Sequence, residues 1–417
     1  MKGQAFKWDP DSAPPILQDH SERKLTLIRN YLRRYLEVMG GNRRADRVRL
    51  TLVDGFAGGG TFQLDGSEVS GTPLVMLEEV DRARRVLNDG RAKPLAVEAS
   101  FVFIEKQKDN HEHLRRTLQE RGYTDRLGPH GVLLRGTFEK HFDDVVERVR
   151  KQHRDGRSIF LLDQTGYNKA PFALVRRILT EMPTSEVILT FGVDWLVDYM
   201  TTADPFLKAV EPIGFDRAEV ERLLGYKDGA GGRVLIQQVL ARMVQEKIGA
   251  PFTTPFFVHG AAAHRSLWIV HLSTHPKARD VMLEQHWGLG NGALHQGPGS
   301  LYMLGHHAAF DQLALFDFGF DPMAERKLFE TLQGEVPEAL WTDGAAEGVR
   351  FGDWRVGRAN RTAATKAQLS EALRTLATDG EIEIFTTGGR PKRLTARLND
   401  SDVIRTPQQR SSFSLLR

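Results

Sequence analysis

The chain has 417 residues, enough for one large domain and one or two smaller ones. Its hydrophobic fraction of 41% and charged fraction of 27% are typical of a soluble globular protein, and its net charge is only +3. It contains no cysteine, which excludes disulfides, thiolate-bound zinc, self-held iron–sulfur clusters and any mechanism with a cysteine nucleophile.

Membrane insertion, secretion and metal binding have no support in the sequence. No apolar run reaches the length of about 18 residues that a membrane-spanning helix needs. The start of the chain lacks the apolar core of a signal peptide, so we expect a cytoplasmic location. The 14 histidines include no His-Glu-x-x-His spacing, so we predict no metal site.

The first 48 residues are predicted to be a helical lead-in. Three prolines between residues 10 and 15 exclude a regular helix there. Ser21 is a candidate N-cap for a helix over residues 22–39, whose apolar residues share one face, and Gly40 follows its end. This helix either packs on the core or forms a lid over the ligand end of the sheet.

A buried strand over residues 50–53 leads into an acidic and glycine-rich turn. Glycines allow the backbone to approach a ligand closely because no Cβ intervenes. An ordinary connecting loop is the alternative interpretation. The candidate ligand-binding residues of this turn are Asp54, Gly55, Phe56, Ala57, Gly58 and Gly60.

A second apolar strand, residues 100–105, ends in Glu105, and Lys106 begins a predicted helix to residue 121. A strand, glycine loop, helix, strand and acid in this order form half of a doubly wound fold, in which the second acid binds ribose hydroxyls. Phe56 and Ala57 break the Gly-x-Gly-x-x-Gly pattern of hydride-transfer enzymes. Further apolar strands are predicted at residues 132–134, 158–163 and 186–191, alternating with helices, so we predict an α/β fold with a doubly wound, mostly parallel, Rossmann-like sheet.

The fourth strand ends in a second group of candidate residues, Asp163-Gln164-Thr165-Gly166-Tyr167. Ligands in doubly wound sheets bind beyond the carboxyl ends of the strands. We therefore expect Asp54, Glu105 and Asp163 to lie along one edge. A strand-end aspartate that caps the next helix is the alternative.

These stretches resemble a known family. Asp54-Gly55-Phe56-Ala57-Gly58 is similar to the first motif of class I S-adenosylmethionine-dependent methyltransferases. The stretch from Asp163 to Tyr167 is similar to the Asp-Pro-Pro-Tyr motif of amino-methyltransferases, although Gln164 and Thr165 replace the prolines and Gly166 moves the aromatic residue one place on. Together with Val193-Asp194-Trp195 and the stretch from Leu272 to Met282, they resemble the three-Cys-motif partner proteins over about residues 20–320.

The resemblance implies a methyltransferase-like domain, S-adenosylmethionine as cofactor and a partner protein with a three-cysteine motif of the radical type. It implies that Glu105 and Lys106 bind the cofactor, with Glu105 at the ribose, and that Asp54 lies near the amino-acid end of the cofactor. Asp163 would orient the methyl acceptor or accept its proton, and Tyr167 would stack on the substrate. We expect this domain to cover residues 49–325, with a helical insertion over about 193–254 and an antiparallel pair of strands that ends the sheet.

Residues 326–417 are predicted to form a winged-helix-like domain. Short helices at 329–332 and 337–341 precede a helix over 365–379, a strand at 381–385 and a return strand at 390–394. Residues 355–417 hold twelve Lys and Arg against six Asp and Glu, a balance of +6. Binding to nucleic acid and binding to protein both remain open for such a domain, and the candidate nucleic-acid-binding residues are Arg390, Lys392 and Arg393.

Two main hypotheses for the function follow. The first is an N- or O-directed methyltransferase that acts on nucleic acid beside its three-cysteine partner. The second is a non-catalytic recognition subunit that binds nucleic acid and that partner. Whether the chain is an enzyme is left open. A nucleotidyl or phosphoryl transferase is a third possibility, but the chain lacks a P-loop motif.

Overall fold

The computed structural model describes residues 6–9, 11–42, 44–128, 131–152, 157–227, 232–259, 266–289, 294–296, 317–319, 322–345 and 347–407. The chain divides into two compact units, Met1–Ala293 and Leu294–Arg417. No helix in these ranges is long and apolar enough to cross a membrane.

The first unit alternates helices and strands. Short 3-10 helices lie at Thr124–Arg126 and Glu211–Ile213. In chain order its other elements are α1 (Asp19–Gly40), β1 (Arg47–Asp54), β2 (Thr61–Leu64), β3 (Ser67–Ser70), α2 (Thr72–Val86), β4 (Ala96–Glu105), α3 (Lys108–Glu120), β5 (Gly131–Arg135), α4 (Phe138–Gln152), β6 (Ser158–Leu162), α5 (Phe172–Glu181), β7 (Ser185–Phe191), α6 (Val193–Asp198), α7 (Asp204–Val210), α8 (Arg217–Lys227), α9 (Gly232–Ile248), β8 (Phe252–His259), β9 (Ser266–Ser273) and α10 (Pro276–Leu289).

Seven strands of the described part of this unit form one sheet in the order β5-β4-β1-β6-β7-β9-β8. The five strands from β5 to β7 are parallel, and Val53 of β1 lies opposite Val102 of β4 and Phe160 of β6. Strand β9 runs antiparallel to both β7 and β8. When the five parallel strands are numbered 1 to 5 along the chain, their order in the sheet is 3-2-1-4-5. The strand order therefore reverses at β1. The prediction of an α/β fold with a mostly parallel sheet is confirmed.

The sheet has this form because its central strands are apolar on both faces. All residues of β6 and β7 are buried, as are Leu50, Leu52 and Val53 of β1. Helices on both sides cover a parallel sheet of this kind. Helices α6 to α9 lie between β7 and β8, where the sequence predicts an insertion. Phe206 of α7 and Phe215, just before α8, are buried and belong to the hydrophobic core.

Helix α1 differs from its prediction at the start. It begins at Asp19, and its N-cap residue Gln18 makes no capping hydrogen bond through its side chain. Ser21 is therefore not the cap. It lies in the first turn, buried, with its backbone N–H donating to the Gln18 carbonyl at 2.8 Å.

In the second unit, β10 (Leu294–Gln296) pairs antiparallel with β11 (Asp317–Gly319). Three later strands form a small antiparallel sheet with β14 (Val403–Arg405) between β12 (Val349–Arg350) and β13 (Glu383–Phe385). The elements of this unit after β11 are α11 (Pro322–Thr342), β12 (Val349–Arg350), α12 (Phe351–Arg358), α13 (Lys366–Thr378), β13 (Glu383–Phe385) and β14 (Val403–Arg405).

Three details of this unit differ from the predictions. The two short helices predicted around residues 329–341 are one helix, α11, which contains Pro337. It continues through the proline because Leu328, Leu332, Val336 and Leu340 are buried on one side, which outweighs one lost backbone hydrogen bond. The domain boundary predicted at 325/326 lies inside α11, whereas the compact units divide at 293/294.

The predicted return strand at residues 390–394 is reduced to a single bridge between Phe385 and Pro391. The strand that pairs with β13 is instead β14, which begins at Val403. The predicted helix over 365–379 is observed as α13, and its N-cap Thr365 forms a capping box with Gln368.

Candidate functional site

The glycine loop, residues 55–60, follows β1 and extends the hydrogen bonding of the sheet. The Gly55 N–H donates to the Leu161 carbonyl of β6 at 2.9 Å, and the Ala57 N–H donates to the Ile104 carbonyl of β4 at 2.9 Å. A Cβ on Gly55 would lie 2.8 Å from a methyl carbon of Leu162. Gly58 and Gly60 have φ values of 62° and 92°, which favour glycine.

Asp54 supports this loop from beneath. Its side chain is completely buried, and Oδ1 accepts a hydrogen bond from the Phe56 N–H at 3.0 Å while Oδ2 accepts one from Thr72 Oγ1 at 2.5 Å. Burial raises the pKa of Asp54 to about 7, the two hydrogen bonds oppose this rise, and the negative charges of Asp163 and Glu105 add to it. Asp54 thus joins the loop to the start of α2. The resemblance implies that Asp54 contacts the cofactor, but its buried carboxylate is not presented to a ligand.

Glu105, the last residue of β4, lies between the glycine loop and α3. Its Oε2 accepts the Gly58 N–H at 2.9 Å, and its Oε1 accepts the Gln107 N–H at 2.6 Å. The side chain is mostly buried, with 8% of its surface exposed. Each carboxylate oxygen retains a second lone pair, so the group can accept hydrogen bonds from the hydroxyls of a ligand. Lys106 follows it and is exposed.

Asp163 forms an ion pair that the sequence analysis missed. Lys24 Nζ, on α1, lies 2.5 Å from Asp163 Oδ2, and the two side chains are 12% and 20% exposed. The sequence contains a pattern that could have identified Lys24. Lys24 stands one helical turn before Ile28 and two before Tyr31, both of which are buried, so it is a charged residue on the buried face of the helix.

Gln164 holds the loop after β6 in place. It is buried; its Nε2 donates to the Thr190 carbonyl at 3.1 Å, and its Oε1 accepts the N–H groups of Lys169 and Ala170 at 2.6 and 2.9 Å. One amide side chain therefore ties this loop to β7 and to the start of α5. This role gives a structural reason for glutamine where the related motif has proline.

Tyr167 is half-buried at the same loop. Its ring centroid lies 6.3 Å from that of Phe191, in a tilted arrangement. Burial raises the pKa of the Tyr167 hydroxyl. The ring packs against the core and remains partly exposed.

An N-terminal strap, residues 6–9 and 11–17, covers part of the glycine loop. Trp8 Nε1 donates to the Thr61 carbonyl at 2.5 Å, and the indole lies directly against the loop. A Cβ on Gly59 would lie only 2.1 Å from the indole Cγ. The strap also joins the hairpin of β2 and β3, because the Leu17 N–H donates to the Gln63 carbonyl at 2.8 Å. The sequence analysis assigned no role to Trp8.

The arrangement favours some ligands over others. The N–H groups of residues 55 to 58 all donate to protein acceptors, so this half of the loop does not offer amides to a phosphate group. The negative charges of Asp163 and Glu105 both act on the fully buried Asp54, and Lys24 pairs with Asp163. Of the two carboxylates that are not fully buried, Glu105 is therefore the one that has no cationic partner among the described residues. A ligand with hydroxyls and positive charge suits this edge. Within the described ranges, no group of three or more histidine, aspartate or glutamate side chains could hold a metal ion.

The predicted nucleic-acid-binding residues lie in the second unit, and one of them has a different role. Lys392 is buried in an ion pair, with its Nζ 2.6 Å from Asp402 Oδ2, so its charge is neutralised. Arg390 and Arg393 are exposed. Lys392, which the sequence predicts to bind nucleic acid, instead stabilises the loop between β13 and β14.

No family model and no curated protein sequence matches the chain. Among solved structures, WbdD is similar at 13% identity over 60% of this chain and 40% of that chain, with a TM-score of 0.31. A candidate O-methyltransferase from Klebsiella pneumoniae is similar at 14% identity over 62% and 91% of the two chains, with a TM-score of 0.29. The N-terminal domain of human METTL16, in complex with SAH, is similar at 9% identity over 58% and 68%, with a TM-score of 0.27.

These structural neighbours have class I methyltransferase-like folds. The chain spans less than half the length of WbdD. All three TM-scores lie below 0.5.

Proposed function

We propose that the first unit is an S-adenosylmethionine-binding methyltransferase domain. The observation that carries this proposal is the position of Glu105, a carboxylate at the end of the second parallel strand that is held against the glycine loop by the Gly58 N–H. Acids at this position of a doubly wound sheet bind ribose hydroxyls. The strand order reverses at β1, the strand next to the one that carries Glu105. The antiparallel strand β9 matches the end of the sheet that the family resemblance implies.

The chemistry of the site fits this cofactor. S-adenosylmethionine carries a ribose diol, a sulfonium cation and an ammonium group, and it has no phosphate. Glu105 would accept hydrogen bonds from the diol, with Lys106 beside it. The negative charge of Glu105 favours the cationic groups, and the N–H groups of residues 55 to 58, which could otherwise bind a phosphate, already donate to protein acceptors. This distribution argues against a phosphoryl or nucleotidyl transferase.

When bound, S-adenosylmethionine supplies an electrophilic methyl group. Transfer requires an in-line approach of a nucleophilic nitrogen or oxygen, so the protein contributes mainly by positioning. Asp163, which pairs with Lys24 through Oδ2 only, would accept a hydrogen bond from the nucleophile through its other oxygen. The partly exposed Tyr167 would stack on the substrate. Asp54 positions the loop and is not a catalytic residue.

The proposal includes nucleic acid as the substrate class and a three-cysteine-motif protein as the partner. The partner is supported by the sequence resemblance. The nucleic acid is supported by the excess of basic residues in residues 355–417 and by the element order of the second unit. Helix α11, strand β12, two helices and two further strands are the elements expected of a winged-helix-like domain.

Calorimetric titration of the full chain with S-adenosylmethionine tests the cofactor site. Glu105→Gln removes the negative charge at nearly constant size, and we expect it to weaken binding by about tenfold or more, or about 1.4 kcal/mol. Glu120→Gln is the matched control, because Glu120 is an exposed acid at the end of α3. Equal affinities for the two variants would contradict the assigned role of Glu105. Absence of binding by both the folded wild-type chain and its Trp8→Ala variant would contradict the methyltransferase proposal.

A non-catalytic recognition subunit is the second candidate, and two contacts favour it. Trp8 covers Gly58 and Gly59, and Lys24 occupies one oxygen of Asp163. Trp8→Ala separates the two candidates if the wild-type chain does not bind the cofactor. Binding that appears in this variant would indicate a methyltransferase site closed by the strap, whereas continued absence of binding would favour the recognition subunit.

A further inference from the structure

Basic residues with and without a carboxylate partner lie in and around the loop between β13 and β14. Lys392 pairs with Asp402 at 2.6 Å, and Lys366 pairs with Asp400 at 2.9 Å. A second group has no ion pair among the described residues and lies exposed in the loop between β13 and β14. Its members are Arg390, Arg393 and Arg397. We call residues 386–402 the arginine loop.

The acidic residues of the arginine loop do not compensate these three charges. Asp402 is buried, and its Oδ2 also accepts the Asn399 N–H at 2.6 Å. Asp400 lies near two cations, since Arg355 is 3.6 Å away in addition to Lys366, and these partners lower the pKa of Asp400 against the opposing effect of burial. The loop therefore carries three uncompensated positive charges within eight consecutive residues.

The backbone of the loop is held by local hydrogen bonds. The Thr386 N–H donates to the Arg390 carbonyl at 2.8 Å, and the Gly389 N–H donates to the Thr386 carbonyl at 2.9 Å. Thr387 Oγ1 donates to the Ser401 carbonyl at 3.1 Å, which closes the base of the loop. The arginines are thus presented on an ordered backbone, and less conformational entropy is lost when they bind a ligand.

The surface of the loop suits phosphate groups. Arginine binds phosphate through two parallel N–H groups, and all three free cations are arginines. Gly388 and Gly389 leave open space at the turn, so an extended backbone can approach closely. The loop offers no apolar tip for insertion into a membrane, because Leu398 is buried and Leu394 is half-buried.

We propose that the arginine loop binds the phosphodiester backbone of nucleic acid through Arg390, Arg393 and Arg397. Such contacts position the nucleic acid without reading its sequence. The inference deepens the proposed function, since it assigns a contact surface to the proposed substrate class. It does not depend on the cofactor site, because the binding of nucleic acid is measured without S-adenosylmethionine.

The test is fluorescence anisotropy of the full chain with a labelled duplex DNA and a labelled single-stranded RNA, over a range of salt concentrations. The loop variant carries Arg390→Gln, Arg393→Gln and Arg397→Gln. Its matched control removes three exposed arginines of the first unit, each of which has an acidic partner. The control substitutions are Arg47→Gln, Arg49→Gln and Arg121→Gln.

We expect the loop variant to bind at least one of the nucleic acids about tenfold more weakly, and the control to bind nearly as tightly as the wild type. The slope of log K against log salt should fall by about 2 to 3 in the loop variant, since each phosphate contact contributes about 0.7 to 0.9. Equal losses in the two variants would overturn the proposal, because they would show an effect of net charge alone. No binding by the wild type would also overturn it.

A labelled polyglutamate of similar charge distinguishes nucleic acid from an acidic protein partner. Equal affinity for polyglutamate, with the same loss in the loop variant, would overturn the assignment to nucleic acid in favour of an acidic protein. Circular dichroism and thermal unfolding of every variant serve as controls for folding. Failure of this test with intact S-adenosylmethionine binding would leave the methyltransferase proposal standing, and the reverse result would leave the arginine loop standing.

Discussion

The buried carboxyl group of Asp54 should make the stability of the chain depend on pH. In the variant Asp54→Asn, the side-chain carbonyl can still accept the Phe56 N–H. Its amide group can donate to Thr72 Oγ1, which now serves as the acceptor. The substitution therefore removes the titration while it preserves the shape and both hydrogen bonds. We expect the variant to fold.

The magnitude follows from the pKa of Asp54, which rises from 3.8 to about 7. The folded chain then binds this proton more tightly than the unfolded chain. The contribution of Asp54 to the free energy of unfolding is therefore fully present below pH 3.8, and it is lost as the pH rises toward 7. A shift of about three units corresponds to about 4 kcal/mol over the whole range, and to about 3 kcal/mol between pH 5 and pH 8.

Urea unfolding at pH 5, 6, 7 and 8 measures this effect. The free energy of unfolding of Asp54→Asn, minus that of the wild type, should increase by about 3 kcal/mol across this range, with an unchanged m-value. Asp89→Asn is the control, because Asp89 is exposed, and its difference should stay flat. If the Asp54→Asn and wild-type curves run parallel, the carboxyl group titrates normally and the reasoning is refuted.

Three further predictions concern stability. Gly59→Ala places a methyl group against the Trp8 indole and should displace the strap, at a cost of about 1 to 3 kcal/mol, with a shift of tryptophan fluorescence and faster proteolysis of the N-terminus. Gln164→Ala leaves buried backbone groups without a partner and should lower the free energy of unfolding by about 2 to 4 kcal/mol in urea titrations, and an unchanged midpoint would contradict this. Lys392→Met leaves Asp402 buried without its cation and should destabilise the second unit by about 3 to 5 kcal/mol in thermal unfolding, while the slope of nucleic-acid binding against salt stays unchanged.

Local patterns in the sequence determined much of the first unit. Apolar strands, each followed by an acid, predict a parallel sheet with its acids along one edge, because the carboxyl ends of parallel strands meet there. Asp163 and Glu105 do lie close enough to Asp54 to raise its pKa. The capping box of Thr365 and Gln368 was also predictable in part, since it involves residues three positions apart.

The second unit shows where local patterns fail. The pattern around Pro337 predicts two short helices, but a continuous buried stripe holds α11 together, and burial depends on what packs against the helix. In the sequence, Lys392 is equivalent to Arg390 and Arg393. The Lys392 side chain points inward because the path of the loop brings it to Asp402.

The tertiary structure alone decided which side chains complete the candidate site. Lys24 meets Asp163 across 139 positions of the chain, and Trp8 reaches the Thr61 carbonyl across 53. Both contacts arise because α1 and the strap pack over the edge of the sheet, and no local propensity encodes that packing. The sequence by itself therefore determined the sheet and the acids at its edge. The groups that cover them were determined by long-range burial, which only the folded chain brings about.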